Sequence, residues 1–237
     1  MVQKNFKSLK EHIIVCGYGR NGKQTVKELV THGQTVLIIE NNNNIIEDLK
    51  DISNIHYLIG DASHDEILNE ACIKSARAII TTLPKDADNL FVVITTRIIN
   101  KKISIISRAS DPRSQKKLYS AGANKIVMPD KLGGQRMADL IMEPDIFEFI
   151  DYILLQDKEQ TNLEEIAIIN INKTIKELNI RNMSGANIIG LKTKENRYIL
   201  NPPSDFPLTN ASHLFVLANT EQLNKIQKLL AQNVIQN

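Results

Sequence analysis

A glycine-rich turn near the start of the chain has the residue types and spacing that bind a pyrophosphate. Its six residues are Gly17, Tyr18, Gly19, Arg20, Asn21 and Gly22. The turn follows an apolar run at 12–16 and opens a helical pattern near residue 21, which is the setting that a GxGxxG motif requires. Gly17 permits the tight turn, Gly19 lets the backbone approach the phosphates, and Gly22 lets helix and strand pack closely. Free N–H groups at the helix N-terminus and the charge of Arg20 favour an anion.

Glu40 is the residue expected to hold a ribose. It ends the next apolar run, 18 positions after Gly22, where a carboxylate accepts hydrogen bonds from ribose hydroxyls and repels a 2′-phosphate. The adjacent Asn41 is expected to belong to the same site. The alternative is that Glu40 is only a solvated strand end. The turn and the acid together predict NAD(H) or an adenine nucleotide (ADP, ATP or AMP), among which the sequence does not choose.

Further site residues are expected at the ends of the following apolar runs. Asp61 and Ala62 follow the third run, and Leu83 follows the fourth. Ligands of doubly wound sheets bind outside the carboxyl ends of the strands, so these residues should face one crevice. Asp61 has two interpretations, because it is also a good cap for the helix expected from residue 63.

Short β-branched runs alternate with helical patterns through the first half of the chain. Strands are predicted over 12–16, 35–39, 55–59, 78–82, 103–107 and 125–128. Helices are predicted over 21–32, 42–51, 63–71, 86–100 and 112–121. Runs that are apolar throughout indicate a parallel sheet covered on both faces. The fold class is therefore α/β, a Rossmann-type doubly wound parallel sheet.

The rhythm changes after Pro129. Helices are predicted over 132–141 and 145–155, with a break at Pro144. The second of these is apolar on more than one face, which suggests burial against a partner. Strands at 164–170, 186–193, 197–200 and 214–218, with helices at 174–178 and 221–230, predict a small α+β domain. The expected organisation is a tail or linker at 1–11, a nucleotide-binding domain at 12–130, dimerisation helices at 131–156 and a C-terminal domain at 163–237.

Composition excludes several classes of protein. Hydrophobic residues make up 42% and charged residues 24%, the balance of a globular protein, and the apolar runs are too short to cross a bilayer. The polar first residues do not resemble a secretory signal, so a cytoplasmic location is expected. A net charge of +2 with dispersed basic residues, and no tryptophan, argues against nucleic-acid binding. The cysteines, Cys16 and Cys72, are expected to be buried and reduced.

Four segments of the sequence carry a family resemblance: HIIVCGYGRNGKQTVKEL, IGDASHDEILNEACIKSARAIITTLPKDADN, SRASDPRSQKKLYSAGANKIVMPDKLGGQRMADLI and, for the C-terminal domain, NIIGLKTKENRYILNPPSDFPLTNASHLFVLANTEQLNKI. They resemble the RCK (or KTN) regulatory domains of potassium channels and of Trk/Ktr-type potassium uptake systems. The resemblance covers nearly the whole chain.

This resemblance implies a ligand-controlled gate rather than an enzyme. It implies a homodimer paired through the helices after the sixth strand, and an octameric ring built from four such dimers. It also implies a potassium channel pore or transporter subunit as the partner, at the inner face of the membrane. It also places Arg108 and Asp130 near the nucleotide or the subunit partner. Calcium-gated relatives have acidic residues where this chain has Ser107 to Ser110, so a carboxylate calcium site is not expected there. A divalent ion elsewhere, shared between phosphates or domains, stays open.

Rival interpretations remain at this stage. The chain could be a channel's regulatory domain or a separate subunit of a Trk/Ktr-type system, and the former is preferred because the first residues resemble a channel linker. An NAD-dependent oxidoreductase fits the glycine motif, but none of the histidines is spaced to work with a carboxylate. A redox-sensing transcriptional regulator lacks a helix-turn-helix sequence. The direction of the ligand's effect, opening or closing, is not determined.

Overall fold

The computed structural model describes residues 6–43, 54–155 and 161–233. The chain divides into two compact units, Met1–Met137 and Ala138–Asn237. Among the described residues, no helix is long and apolar enough to span a membrane.

The first unit is built on a six-stranded parallel sheet. The strands are β1 (Ile13–Cys16), β2 (Val36–Glu40), β3 (Ile55–Ile59), β4 (Ala78–Thr81), β5 (Ser104–Arg108) and β6 (Lys125–Val127). Their order is β3-β2-β1-β4-β5-β6, so β2 and β3 extend the sheet on one side of β1, and β4 to β6 extend it on the other. This is the topology of a doubly wound fold, whose switch point lies at the carboxyl ends of β1 and β4. The predicted fold class is confirmed.

Helices connect the strands and bury both faces of the sheet. They are α1 (Arg20–Thr31), α2 (Asp65–Glu70), α3 (Asp86–Ile99) and α4 (Pro112–Ser120). The central strand β1 is fully buried along its length, which explains why its sequence is apolar without alternation. Asp111 caps α4 by accepting a hydrogen bond from the N–H of Arg113, and Pro112 occupies the first helical position. The helix predicted over 42–51 lies almost wholly outside the described residues.

Two further helices follow β6. They are α5 (Pro129–Met142) and α6 (Pro144–Leu155), and Pro144 begins the second helix rather than kinking a single one. α5 begins three residues earlier than the predicted start at 132, which places Asp130 in its first turn. Large apolar side chains are exposed on both helices, including Ile141 at 82% and Phe149 at 62%.

The second unit contains a four-stranded antiparallel sheet and short helices. Its strands are β7 (Asn162–Ala167), β8 (Asn187–Thr193), β9 (Tyr198–Leu200) and β10 (Ala211–Ala218), in the order β7-β10-β8-β9. Its helices are α7 (Ile175–Leu178), α8 (Ile180–Ser184) and α9 (Thr220–Gln232). α8 was not expected, because the left-handed Asn179 separates it from α7 and leaves each helix with barely one turn of sequence signal. β7 begins and ends earlier than the predicted 164–170.

The two cysteines differ in their surroundings. Cys16 is buried in β1, and burial raises the pKa of its thiol. Cys72 is only partly buried, so the expectation of two buried thiols is wrong for this residue. Its Sγ donates a hydrogen bond to the carbonyl oxygen of Phe6, 3.3 Å away. The loop that carries Cys72 therefore holds the first described turn of the chain, Phe6–Ser8.

A buried histidine makes the stability of the first unit depend on pH. His12 is fully buried, and its Nε2 donates to the carbonyl oxygen of Ala71 at 2.9 Å. Burial lowers the pKa of His12 from 6.5, against smaller raising effects of the Ala71 hydrogen bond and of Glu11. The unfolded chain therefore binds a proton at a pH where the folded chain does not, and stability is lost as the pH falls below about 6.5.

We expect the free energy of unfolding to decline between about pH 6.5 and pH 5, because His12 becomes protonated only in the unfolded chain. Chemical denaturation across this range measures the slope. The His12→Gln variant keeps a hydrogen-bond donor but cannot titrate there, so its slope should be smaller at every pH of the series. Equal slopes for parent and variant would contradict the role of His12. Asp86, whose pKa is lowered, acts only at more acidic pH.

Candidate functional site

One cleft, with a volume of about 410 Å³, lies at the carboxyl ends of the five strands β1 to β5. Ten of the twelve residues predicted from the sequence line it: Gly17, Gly19, Arg20, Asn21, Glu40, Asn41, Asp61, Ala62, Leu83 and Arg108. They come from separate parts of the chain, and the parallel sheet brings them together. The cleft is at the switch point where doubly wound folds bind ligands.

The glycine turn brings α1 very close to the end of β1. Gly17 has a φ of +92°, which an L-residue rarely adopts, and a Cβ there would approach Thr82 and Leu83. A Cβ on Gly22 would overlap the carbonyl oxygen of Gly17. At Gly19, by contrast, a Cβ would meet no described atom within 4 Å, because that side of the backbone faces the open cleft. Gly17 and Gly22 are thus required by the fold, whereas Gly19 is free to serve a ligand.

Thr82 fastens the glycine turn to the neighbouring strand. Its Oγ1 donates to the carbonyl oxygens of Cys16 and Gly17, at 3.1 and 3.0 Å, and its backbone N–H bonds Cys16 at 2.9 Å. Thr82 also lines the cleft, although the sequence analysis did not single it out. It directly follows β4, so the rule that ligands meet the carboxyl ends of strands could have found it.

The Glu40 carboxylate is held by backbone groups on both oxygens. Oε2 accepts from the N–H of Tyr18 at 2.7 Å, and Oε1 accepts from the N–H groups of Asn41 and Asn42 at 2.9 and 3.0 Å. A carboxylate has about four acceptor positions, so roughly one remains for a ligand. A contact to two ribose hydroxyls would require that one of these backbone bonds be given up. The same bonds tie the end of β2 to the glycine turn.

The two predicted residues that do not line the cleft have other positions. The side chain of Tyr18 is only 9% exposed and packs in the apolar cluster that contains Val26. Tyr18 contributes its backbone N–H, to Glu40, rather than its ring. Gly22 lies behind the turn, against Gly17.

Asp61 lies at the edge of the cleft but does not cap α2, whose N-cap is His64. It lines the cleft, and its Oδ1 also accepts from the N–H of Ser63 at 2.8 Å, which closes the turn before α2. This hydrogen bond, followed by one from the Ser63 side chain, lowers the pKa of Asp61. The carboxylate is therefore charged at neutral pH and stays partly available to a ligand.

Arg108 ends β5 and reaches the opposite side of the cleft from Glu40. Its guanidinium lies 3.4 Å from the carbonyl oxygen of Leu83 and 3.4 Å from the carboxylate of Asp130. Asp88, at the start of α3, also lines the cleft and was not predicted. The cleft thus has basic groups at Arg20 and Arg108, acidic groups at Glu40 and Asp61 on the β2 and β3 side, and a further acid, Asp88, after β4. Its charge suits a ligand with an anionic part and a hydroxylated part.

No histidine among the described residues lines this cleft. No group of three or more His, Cys, Asp or Glu side chains in the described ranges could hold a metal ion. The arrangement can bind and orient a charged ligand, but it presents none of the histidines as a general acid or base.

Comparison with known proteins identifies the class to which this fold and site belong. Residues 13–129 match the TrkA-N domain family, and residues 170–231 match the TrkA-C domain family. The "Probable potassium channel protein 2" of Methanocaldococcus jannaschii is 32% identical over 97% of this chain and 69% of its own length. "Potassium channel protein 1" of the same organism is 32% identical over 94% of this chain and 67% of its own length. The chain thus spans about two thirds of these channel proteins.

A third relative is matched over nearly the whole of its own length. The "Ktr system potassium uptake protein C" of Bacillus subtilis is 24% identical over 93% of this chain and 97% of its own length. The chain belongs to the RCK family, whose TrkA-N and TrkA-C domains form regulatory parts of potassium channels and transporters.

Solved structures show the same fold. The TrkA-N domain of the inner membrane protein ybaL from Escherichia coli is 26% identical, with a TM-score of 0.53 over 56% of this chain and 98% of its own. The NAD(P)-binding domain of an exopolyphosphatase-related protein from Archaeoglobus fulgidus is 25% identical, with a TM-score of 0.50 over 56% of this chain and 99% of its own. The GsuK channel bound to NAD, at 22% identity, has a TM-score of 0.51 over 94% of this chain and 39% of its own.

The glycine turn gives a matched pair of substitutions. We expect Gly22→Ala to lower the melting temperature, because its methyl group would overlap the Gly17 carbonyl and force α1 away from β1. A loss of about 1–3 kcal/mol is expected from overpacking of this kind. Gly19→Ala should leave the free energy of unfolding within about 0.5 kcal/mol of the parent's value, because its methyl group enters open space. Thermal unfolding without added ligand measures both, and an equal loss for the two variants would contradict this account.

Proposed function

We propose that this chain is a nucleotide-sensing regulatory domain that binds NAD(H) or an adenine nucleotide (ADP, ATP or AMP) in the cleft. The observation that carries the proposal is the joining of the glycine turn and Glu40 by the Tyr18 N–H bond. The turn offers the N-terminus of α1 to phosphates, and the acid stands beside it for the adenosine ribose. Both halves of the ligand are then recognised by one connected structure. In this proposal, the site residues predicted from the sequence, between Gly17 and Arg108, form the binding site of the nucleotide.

The A. fulgidus relative supports the choice of ligand class, because it is described as an NAD(P)-binding domain. A carboxylate at Glu40 disfavours the 2′-phosphate of NADP, since two anionic groups would be brought together. GsuK, which shares the fold, is described as bound to NAD. The cleft itself is compatible with any ligand that combines adenosine and phosphate. The proposal does not include a divalent cation bound to these phosphates.

The proposed action of the ligand is to change potassium flux through a pore. The names of the relatives connect this family to potassium channels and to uptake systems. A nucleotide can drive a gate only if it binds one conformation more tightly than the other. A tenfold preference corresponds to about 1.4 kcal/mol per site, and equivalent sites in a ring add to one another. The protein would then work at the inner face of the membrane.

The partner is proposed to be a channel pore. The channel proteins of M. jannaschii extend for about a third of their length beyond the region matched here, whereas the B. subtilis uptake protein does not. Their higher identity, 32% against 24%, favours the channel partner over a separate uptake subunit, which stays the alternative. The two can be separated by purifying the complex in detergent from the organism that makes it, without an antibody against the pore, and measuring its mass.

Exposed apolar residues after β6 support the proposed assembly. Ile141, Met142 and Phe149 are 82%, 77% and 62% exposed, and each would lose contact with water in a dimer. We propose that α5 and α6 pair two copies, and that such pairs form an octameric ring. No binding to nucleic acid is proposed.

A catalytic role is not proposed. An NAD-dependent oxidoreductase needs an acid–base group at the reacting carbon. None of the five histidines, all of which lie in described segments, lines the cleft. Failure to oxidise or reduce any small alcohol or acid with bound NAD(H) is the expected result of a spectrophotometric turnover assay.

The ribose assignment can be tested with Glu40→Ala. Ligand present at 100 times its dissociation constant should stabilise the parent by about 2.7 kcal/mol, and the variant should lose this gain. A thermal-shift titration with NAD, NADH, ADP, ATP and AMP measures the ligand-dependent change, so any loss in the ligand-free variant cancels. Glu70→Ala is the control, because Glu70 is an exposed acid of the same unit outside the cleft. A parent-like shift in Glu40→Ala would show that this acid does not hold the ligand.

The assembly can be tested with Phe149→Asp. A charge in the apolar face of α6 should move the protein from dimers or larger assemblies toward monomers, because the carboxylate would have to be desolvated on pairing. Sedimentation velocity across a concentration series measures the change. Glu148→Gln, an exposed neighbour that alters no apolar surface, should behave as the parent. Unchanged sedimentation of Phe149→Asp would exclude this face from the interface.

A further inference from the structure

The side chain of Arg108 lies between the cleft and the first turn of α5. It lines the cleft, and it also lines a second depression formed with Val127 and Pro129, where α5 begins. The side chain is only 17% exposed, whereas its partner Asp130 is 77% exposed. One charged group is therefore within reach of both a ligand and a helix.

The hydrogen bonds of this guanidinium are long, and one donor is unused. Its contacts to Leu83 and Asp130 are both 3.4 Å, whereas charge-assisted bonds are usually about 2.7–2.9 Å. Nε is buried and has no hydrogen-bond partner among the described residues. A buried, unpaired donor on a charged group is costly, and an anionic oxygen placed in the cleft would satisfy it.

We propose that a ligand phosphate competes with Asp130 for Arg108, so that charge in the cleft releases the first turn of α5. This inference rests on the proposed nucleotide binding. β5 lies two strands from β1, or about 10 Å at the usual strand spacing. A phosphate seated on the α1 N-terminus is therefore remote from Arg108, and the second phosphate of ADP or of a dinucleotide is the one that approaches it. AMP, which has no second phosphate, should not cause the release.

The groups left behind by Arg108 lose little in this exchange. Asp130 is well exposed and returns to water, and surface ion pairs of this kind contribute about 0–1 kcal/mol. The carbonyl oxygen of Leu83 keeps a hydrogen bond from Asn89 Nδ2 at 3.0 Å. The exchange thus replaces one weak ion pair with a contact to a more highly charged group.

The same exchange gives the ligand a route to the proposed dimer helices. Asp130 is in the first turn of α5, and Met137, farther along that helix, is 71% exposed. Loss of the Arg108 contact removes a tie between the end of β5 and the start of this helix. Arg108 would then report the phosphate charge of the ligand to the part of the chain that is proposed to pair with a second copy.

A double-mutant cycle tests the competition. Calorimetric titration of the intact chain with ADP, NAD and AMP, in EDTA and about 150 mM salt to limit long-range effects, gives the affinities. Asp130→Asn should bind ADP about two- to fivefold more tightly, because the competitor is removed. Arg108→Gln should bind ADP about tenfold less tightly, with a much smaller change for AMP. In the Arg108→Gln background, Asp130→Asn should give no further gain.

Asp88→Asn is the matched control, since Asp88 lines the cleft but has no contact with Arg108 among the described side chains. Any gain it causes acts through space and should persist when Arg108 is replaced. Hydrogen exchange of the amides at the start of α5 should rise with ADP in the parent and not in Arg108→Gln.

If the parent binds ADP and Asp130→Asn gives no gain, or a gain that persists without Arg108, the competition is refuted while nucleotide binding stands. If the parent binds none of the three ligands, the proposed function fails as well.

Discussion

The close approach of α1 to the end of β1 is the constraint on which the rest of the site depends. Gly22 lies so near the carbonyl of Gly17 that no side chain fits between them, and Thr82 holds that carbonyl from the next strand. This arrangement aims the free N–H groups of the helix at the cleft rather than at protein atoms. Gly19 keeps the approach to those groups open. The packing of the first helix therefore leaves an open cleft at its N-terminus.

The acid at Glu40 extends this arrangement to the neighbouring strand. Its three backbone hydrogen bonds join the end of β2 to the glycine turn. The residues that would hold the ribose are therefore bonded directly to those that would hold the phosphates. On the far side, Arg108 joins the cleft to the start of α5 through Asp130. The contacts of Glu40 are three short backbone hydrogen bonds, whereas the contact of Arg108 with Asp130 is a single long ion pair at 3.4 Å.

The exposed apolar helices place the proposed response outside the nucleotide-binding fold. The sheet of the first unit is covered by its own helices, but α5 and α6 carry side chains such as Ile141 and Phe149 that face water in a single copy. The cleft can bind a charged ligand, and many of the exposed apolar side chains lie in the helices that follow β6. This division agrees with membership of a family of regulatory domains.

The sequence determined the fold class and most of the site, because these depend on local patterns and on one general rule. Continuous Ile and Val runs predicted the parallel strands, and the order of strands and helices predicted that Gly17, Glu40 and Asp61 would lie at one edge of the sheet, where the structure has them. Arg108 was expected there only from the resemblance to the RCK family. The exact limits of the elements were less accurate, and α8 was missed, because a left-handed residue such as Asn179 has no strong sequence signal. Tertiary structure alone decided that Thr82 supports the turn, that Tyr18 contributes its backbone and that Arg108 meets Asp130. These contacts join residues about 20 to 65 positions apart, and their distances follow from packing rather than from any local pattern.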